Sequence, residues 1–421
     1  MEPLRILLIG RGGRESALAY KLSQSPHVEK IYVAPGNGGT AQGLAKVSNL
    51  QGVNEEDFDL LVQLAKELNV NLAVPGPDVP IVNGIEAGIP CFAPSKAAAQ
   101  LEGSKAFSKD FMARHNIPTA AYRNFTNYET AREYLENVDF RVVLKASGLA
   151  AGKGVIIPET KDDALKALRE IMLEQQFGDA GNEVVIEEFL EGDELSILTF
   201  SDGFTFKSMP PAQDHKRIFD QDLGPNTGGM GCYAPTKIVS PAVLDTIEKS
   251  ILQPTFEGLR QEGSPFVGML FTGIMLTKTG PKALEYNARF GDPETQTLLP
   301  LLETDLATLM VACVQGHLHE VDIDMGDKSC AVVIVSAAGY PGSYPTGDRI
   351  EMENRHASGD VLFFHAGTSL EEDGSLVTAG GRVLAVSATA STLEQAVRDA
   401  YQGVSTVKFE GMHYRTDIAY R

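Results

Sequence analysis

Cysteine is scarce in this chain. Its four cysteines, Cys91, Cys232, Cys313 and Cys330, stand far apart, with no two at the spacing of a metal-binding pair. That argues against a zinc site or a disulfide framework, and for reduced thiols packed as small hydrophobes. The eight histidines are equally scattered, with no zinc spacing, and no Ser/His/Asp order can be defended. Long apolar runs are missing too. No stretch approaches the roughly 18–20 apolar residues of a membrane span. The apolar run before Gly10 is too short for a signal peptide and ends in a glycine turn. Positive charge is in short supply: 36 Lys and Arg oppose 56 Asp and Glu, a net charge of −20. Such a chain repels nucleic-acid backbones and anionic lipid at long range. The expectation is a cytoplasmic protein with no nucleic-acid or membrane partner. An anionic ligand would have to be held by a local pocket of Lys, Arg and backbone N–H groups.

What is present reads as an ordinary globular protein, 43% hydrophobic and 22% charged over 421 residues. At roughly 100–200 residues per domain, that length allows two to four domains. The first hundred residues alternate strand and helix: strand 5–9, helix 15–23, strand 30–34, helix 55–68, strand 71–74. This rhythm predicts an open parallel sheet, whose ligands sit at the carboxyl ends of the strands. Those ends carry Gly/Pro/Asn-rich loops. From about Leu101 the pattern becomes α+β, with a helix at 105–114, strands at 141–146, 154–158, 183–188 and 194–200, and a helix at 162–173. A long helix follows Ser240-Pro241, then two apolar strands at 267–277 and 281–287 joined by a Thr279-Gly280 turn. After about Ser329 the chain is mostly β, with strands at 330–337, 361–365 and 382–388 and a helix at 393–401. Boundaries are placed near residues 103 and 325. No internal repeat or low-complexity tract is evident.

Several segments carry candidate chemistry. Gly10-Arg11-Gly12-Gly13-Arg14-Glu15 follows a strand and opens a helix, yet it fails as a dinucleotide fingerprint. The last glycine is replaced by Glu15, and the second strand lacks a ribose-binding acid. The turn can still hold one phosphate at a helix N-terminus, with the loop Gly36, Asn37, Gly38, Gly39, Thr40 completing the cradle; two ordinary β–α turns would read the same. The segment from Lys145 to Gly154 is not a P-loop, because Gly148 and Gly152 are too close and the flanks read strand–loop–strand. Small residues between Lys145 and Lys153 make a lid whose backbone can approach polyphosphate; a glycine hairpin with solvated lysines is the alternative. Glu187, Glu188, Phe189, Leu190 and Glu194 could meet a purine and its ribose, or form a plain acidic hairpin. Glu285, Asn287 and Arg289 alternate along a strand and so project together. Two oxygen donors suit Mg²⁺, and Arg289 can stabilise charge on a transferring group. Asp214-His215-Lys216-Arg217 reads as a charged loop, and Asn226, Thr227, Gly228, Gly229 begin a glycine loop rich in free N–H groups. His215 is not assigned proton transfer.

Together these segments resemble the ATP-grasp superfamily and, within it, the glycinamide ribonucleotide synthetases. The ordered set is GRGGRE, APGNGGTA, LEGSKAFSKDFM, KASGLAAGKGV, VIEEFLEGDELS, QDHKR, GPNTGGMG, EYNARFGDPETQ, HAGTS and GGRVLAV. The resemblance implies a multidomain α/β and α+β fold: an N-terminal sheet domain (1–103), an ATP-grasp core (104–325) with a mobile lid at about 120–190, and a C-terminal β-rich domain (326–421). It implies ATP-dependent joining of glycine to 5-phosphoribosylamine in purine synthesis, with Mg²⁺ or Mn²⁺, in a monomer or weak homodimer. Lys105, Lys145 and Lys153 would meet ATP phosphates, Glu187 to Leu190 the adenine, Glu194 the ribose, and Glu285 and Asn287 the metal. Phosphoribosylamine would lie by Gly10, Gly12, Gly13, Arg14, Glu15 and the Gly36–Thr40 loop. Asp214, Lys216, Asn226 to Gly229, Arg289 and Asp292 would surround glycine and the acyl phosphate, with Arg289, Lys145 and Asp214 as the catalytic residues. The strand before Glu285 lacks the extra acid found in many ATP-grasp enzymes, so the metal site would be lean. A bicarbonate-using ATP-grasp carboxylase, a nicotinamide-dependent oxidoreductase and a non-catalytic nucleotide-binding module are the competing readings.

Overall fold

A computed structural model describes residues 2–85, 88–150, 154–353 and 360–420. The N-terminal sheet is four-stranded and parallel. Its strands are β1 (Leu4–Gly10), β2 (Val28–Pro35), β3 (Val47–Asn49) and β4 (Leu72–Pro75), in the order β3-β2-β1-β4. β1 is almost wholly buried, as a strand covered on both faces must be, which is why it reads as a continuous apolar run. Helix α1 (Gly13–Ser23) leaves β1 through a capping box closed by Glu15. The next helix is Phe58–Glu67, shorter than expected, because Asp57 accepts the Leu60 N–H at 3.1 Å and fixes the start.

The central region holds two sheets facing each other across a cleft. The smaller one comprises β5 (Tyr122–Phe125), β6 (Val142–Ala146), β7 (Val155–Ile156) and β8 (Val184–Glu188), ordered β5-β8-β6-β7. β7 is shorter than the predicted 154–158 strand; Pro158 has no N–H to extend the ladder. The larger sheet contains β9 (Asp193–Asp202), β10 (Phe206–Ser208) and two later strands. Short strands β11 (Gln213–Asp214), β12 (Arg217–Phe219), β13 (Leu223–Asn226) and β14 (Gly231–Ala234) follow, so the expected charged loop is partly a β-structure. β15 (Val267–Thr277) and β16 (Gly280–Asn287) complete the larger sheet, ordered β10-β9-β15-β16. The expected long helix is Pro241–Ile247, a π-helical turn at Glu248–Leu252, and Gln253–Gln261. The interruption adjoins Pro254, which removes a helical N–H donor.

β17 (Ser329–Ser336) and the strands Arg382–Ala390 and Val361–His365 form the C-terminal sheet. β14 pairs with β17, and β11 with β14, so strands from the central region finish this sheet. Phe92, Phe200 and Phe290 join the N-terminal and central units through ring contacts of 6.0 to 6.1 Å. Among the described residues no helix is long and apolar enough to cross a membrane.

Candidate active site

The site is built around β16. The register of β15 against β16 slips between Gly273 and Ile274, leaving Leu284 as a bulge beside Glu285; such bulges re-aim a neighbouring side chain. Glu285 and Asn287 are half-buried on one side of the strand. The residue opposite Glu285 is Gly273, so no second acid approaches from β15. Lys145 leaves β6 across the cleft, its Nζ 2.6 Å from Glu187 Oε1 and 3.4 Å from the Leu284 carbonyl. Lys216 pairs closely with Glu194 and stands 3.9 Å from Glu285 Oε1. Lys105 donates to the Gly148 carbonyl at 3.3 Å and makes no ion pair among the described residues.

The electrostatics follow from this crowding. Burial alone would raise the Glu285 carboxyl, but Lys216, Lys145, Lys105 and Arg289 hold it below its ordinary value. Burial would lower the Lys145 and Lys216 ammoniums; Glu187 and Glu285 raise Lys145, and Glu194, Glu285 and Asp214 raise Lys216. Lys105 lies below its ordinary value, chiefly through burial. Lys145, Lys216 and Arg289 each have a further carboxylate in Glu187, Glu194 and Glu102, whereas Lys105 has no such partner among the described residues, and an ammonium so placed suits a phosphate. Among the described residues no three His, Cys, Asp or Glu side chains converge. A divalent ion here would therefore rely on Glu285, the Asn287 amide oxygen and phosphate oxygens, a donor set that fits Mg²⁺.

The expected nucleotide residues divide. Glu187 does not turn its carboxylate toward a purine: its two oxygens meet Lys145 and Lys109, because two buried ammoniums need an anion. Glu188 lies 3.7 Å from Lys282, Phe189 stacks under Arg141 at 4.0 Å, and Leu190 is buried. Lys153 lies outside the described residues.

On the substrate side, several N–H groups of the two glycine turns expected to cradle a phosphate have partners within the chain. Glu15 folds back, accepting from Gly12 N at 2.5 Å and from Arg14 Nε at 2.7 Å. Gly10, Gly12 and Gly76 leave its carboxylate room; a Cβ on Gly76 would fall 1.8 Å from Glu15 Oε1. In the second loop, Asn37 N donates to Thr40 Oγ1 at 2.8 Å, Gly38 N to the Thr368 carbonyl at 3.1 Å, and Gly39 N and Thr40 N to Asn37 Oδ1 at 2.9 and 3.1 Å. Gly36, with φ +77, packs its Cα against the Asn49 side chain. The glycine loop also lacks the free donors expected of it. Thr227 N bonds the Lys216 carbonyl at 2.7 Å, Gly228 N the Tyr340 hydroxyl at 3.1 Å, and Gly229 N Thr227 Oγ1 at 2.9 Å; Asn226 is paired to Arg217 at the end of β13. Buried N–H groups need partners, and these find them within the chain.

Guanidinium groups stand beside these turns, each facing a carboxylate. Gly13 opens α1 against Gln296, and the adjacent Arg14 donates to the Phe290 carbonyl at 3.2 Å. Arg382 lies 3.2 Å from Asp292 and also bonds the Gly228 carbonyl. Burial would raise Asp292, yet Arg382, Arg14 and Arg289 hold it low. Arg289 is 3.0 Å from Glu102, whose other oxygen accepts the Ala288 N–H at 2.7 Å. Asp214 carries a buried Oδ1 without a hydrogen-bond partner; burial and then Glu294 push its carboxyl well up. Glu102, Lys109, Arg382 and Glu294 were given no role from sequence. All four stood inside the quoted motifs, and Lys109 lies one helical turn beyond Lys105.

Models of the phosphoribosylglycinamide synthetase N domain, ATP-grasp (A) domain and C domain match residues 4–102, 103–295 and 329–421. This chain belongs to the phosphoribosylglycinamide synthetase family. It is 45% identical to a phosphoribosylamine–glycine ligase of Vibrio parahaemolyticus, over 99% of this chain and 98% of that protein. It is 59% identical to a bifunctional purine biosynthetic protein of Schizosaccharomyces pombe, over 100% of this chain and 54% of that protein. The chain thus spans about half the length of the bifunctional relatives it matches. Its fold matches the crystal structure of a phosphoribosylamine–glycine ligase from Thermotoga maritima with a TM-score of 0.86 and 33% identity, over 99% of this chain and 100% of that one. The family is thus an ATP-grasp one, with the cleft between two sheets described above.

Proposed function

We propose that this chain joins glycine to 5-phosphoribosylamine at the expense of ATP, giving glycinamide ribonucleotide, ADP and phosphate. One observation carries the reading. Lys145 from one sheet and Glu285 from the other face a common cleft, with Lys105 and Lys216 beside them. A carboxylate is a poor electrophile; transfer of the γ-phosphoryl group to glycine makes glycyl phosphate, a good one. The amine of phosphoribosylamine then attacks the acyl carbon, and phosphate leaves. Lys105 and Lys145 hold the phosphates. Glu188 to Leu190 border the adenine and Glu194 the ribose, while Glu187 acts by holding Lys145. Asp214 and the Asn226–Gly229 loop border glycine, Arg289 faces the transferred group, and Arg14, Asp292 and the turns at Gly10–Glu15 and Gly36–Thr40 border the amine substrate. Mg²⁺, or Mn²⁺ in its place, would screen phosphate charge when bound by Glu285 and Asn287. Closure of the smaller sheet excludes water that would hydrolyse the acyl phosphate. We place the enzyme in the cytoplasm as a monomer or weak homodimer.

The test supplies ATP, Mg²⁺, glycine and freshly generated phosphoribosylamine. ADP release should need both co-substrates and collapse in Lys145→Ala. ADP release driven by bicarbonate and indifferent to glycine would overturn the assignment.

A further inference from the structure

Lys109 has no part in the reaction scheme above, yet it is only 2% exposed. Its ammonium lies 2.5 Å from Glu187 Oε2 and donates to Thr119 Oγ1 at 2.7 Å. The Thr119 hydroxyl in turn donates to the Ala283 carbonyl at 2.7 Å, and Ala283 N donates to the Pro118 carbonyl at 2.8 Å. Ala283 lies in β16 two residues before Glu285. Glu187 lies in β8, in the smaller sheet, and its other oxygen holds Lys145. A continuous polar chain therefore runs from the metal-binding strand through Thr119, Lys109 and Glu187 to Lys145, spanning the join between the two sheets.

The charge count gives this chain a purpose. One carboxylate shared by two buried ammoniums neutralises each only in part. Were Lys109 absent, Glu187 would bear on Lys145 with its full charge and with no second contact to fix its rotamer. Lys145 would then be drawn back toward β8, away from the cleft.

We propose that Lys109 is a positioning residue for nucleotide: by occupying one oxygen of Glu187 and anchoring it to β16 through Thr119, it keeps Lys145 aimed across the cleft and free to exchange carboxylate for phosphate. The proposal rests on the reading of Lys145 as an ATP-phosphate residue, which Lys145→Met tests separately. If that variant keeps full activity, the ATP site itself is misassigned.

The experiment compares Lys109→Met, Glu187→Gln, and the double variant in the full chain, with ATP and glycine varied in turn and folding followed by thermal melting. Lys109→Met should raise KM for ATP about tenfold or more, the scale of lost outer-shell partners, and leave KM for glycine within about twofold. Adding Glu187→Gln removes the uncompensated charge and should recover about threefold or more of that loss, a coupling that a scaffold role does not give. Thr119→Val should produce the same split at about threefold without burying a new charge. It decides the matter if Lys109→Met does not fold. Equal losses in both KM values, an unaltered KM for ATP, or a double variant worse than Lys109→Met would overturn the proposal.

Discussion

Lys216 closes an ion pair with Glu194 and at the same time stands 3.9 Å from Glu285. The start of β9, the segment after β11 and the turn-distal part of β16 are thereby tied around one charge cluster. The cluster predicts how a charge-only substitution behaves. Glu285→Gln keeps the shape of the side chain and removes the anion at the centre of four cations. Turnover should fall about 100-fold or more, as for loss of a preorganised electrostatic partner, and the Mg²⁺ concentration for half-maximal rate should rise. ADP release titrated with Mg²⁺ reads both. An unchanged metal dependence would remove Glu285 from the metal site.

The Glu102–Arg289 pair makes a second prediction. Burial raises the Glu102 carboxyl, and the facing Arg289 counters it. Glu102→Ala leaves Arg289 without its anion and Ala288 without an acceptor. Thermal melting should show a loss of about 1–3 kcal/mol. Turnover should fall further than this stability loss explains at a temperature where the variant is folded, because Arg289 is no longer held. Normal turnover in a destabilised variant would mean that Glu102 serves folding alone.

How much of this was legible in the sequence depended on which interactions are local. β15 was bounded correctly, and β16 to within a residue, because two apolar strands with a short turn leave little freedom. Their turn is Lys278–Thr279, one residue earlier than expected, because Gly280 already belongs to β16. The alternation of Glu285 and Asn287 announced a polar pair by period alone. What sequence could not supply was the partner of each charge. Glu187 looked like a purine acceptor because its two lysines are 42 and 78 positions away, and long-range pairing leaves no local trace. The glycine loops looked like open cradles partly for the same reason: Thr368 and Tyr340, from a distant part of the chain, occupy the Gly38 and Gly228 N–H groups, while Glu15, Thr40, Asn37 and Thr227 take others from close by.

His215 predicts an acid limit to stability. Burial, then Arg415, lower its pKa to about 4, against opposing pulls from Asp222 and Asp417. Its Nε2 accepts the Ala419 N–H at 3.3 Å, so the folded chain holds a neutral ring. The unfolded chain protonates near its ordinary value of about 6.5. Between that value and about 4, the unfolded state takes up a proton that the folded state refuses. Stability is therefore full above the upper limit and declines as pH falls, by up to about 3 kcal/mol from this group. His215→Asn should lose less melting temperature than the parent between pH 7 and pH 4.5. Identical losses would show that His215 is not what titrates.

The packing of Glu15 into the first β–α turn gives the last prediction. A methyl group on Gly76 would overlap Glu15 Oε1 at 1.8 Å, and the carboxylate cannot retreat without releasing Gly12 N and Arg14. Gly76→Ala should therefore cost about 1–3 kcal/mol, the range for overpacking a filled site. Glu15→Ala is costly on its own, since it unpairs a buried arginine and a capped helix start. Once it is present, however, the three atoms nearest the added methyl, all of the Glu15 side chain, are gone. In the Glu15→Ala background Gly76→Ala should add less than about 0.5 kcal/mol, a non-additivity expected of groups in direct contact. Thermal melts of the four proteins in this cycle measure the coupling. If the two costs simply sum, Gly76 is required by its backbone and not by the carboxylate it shelters.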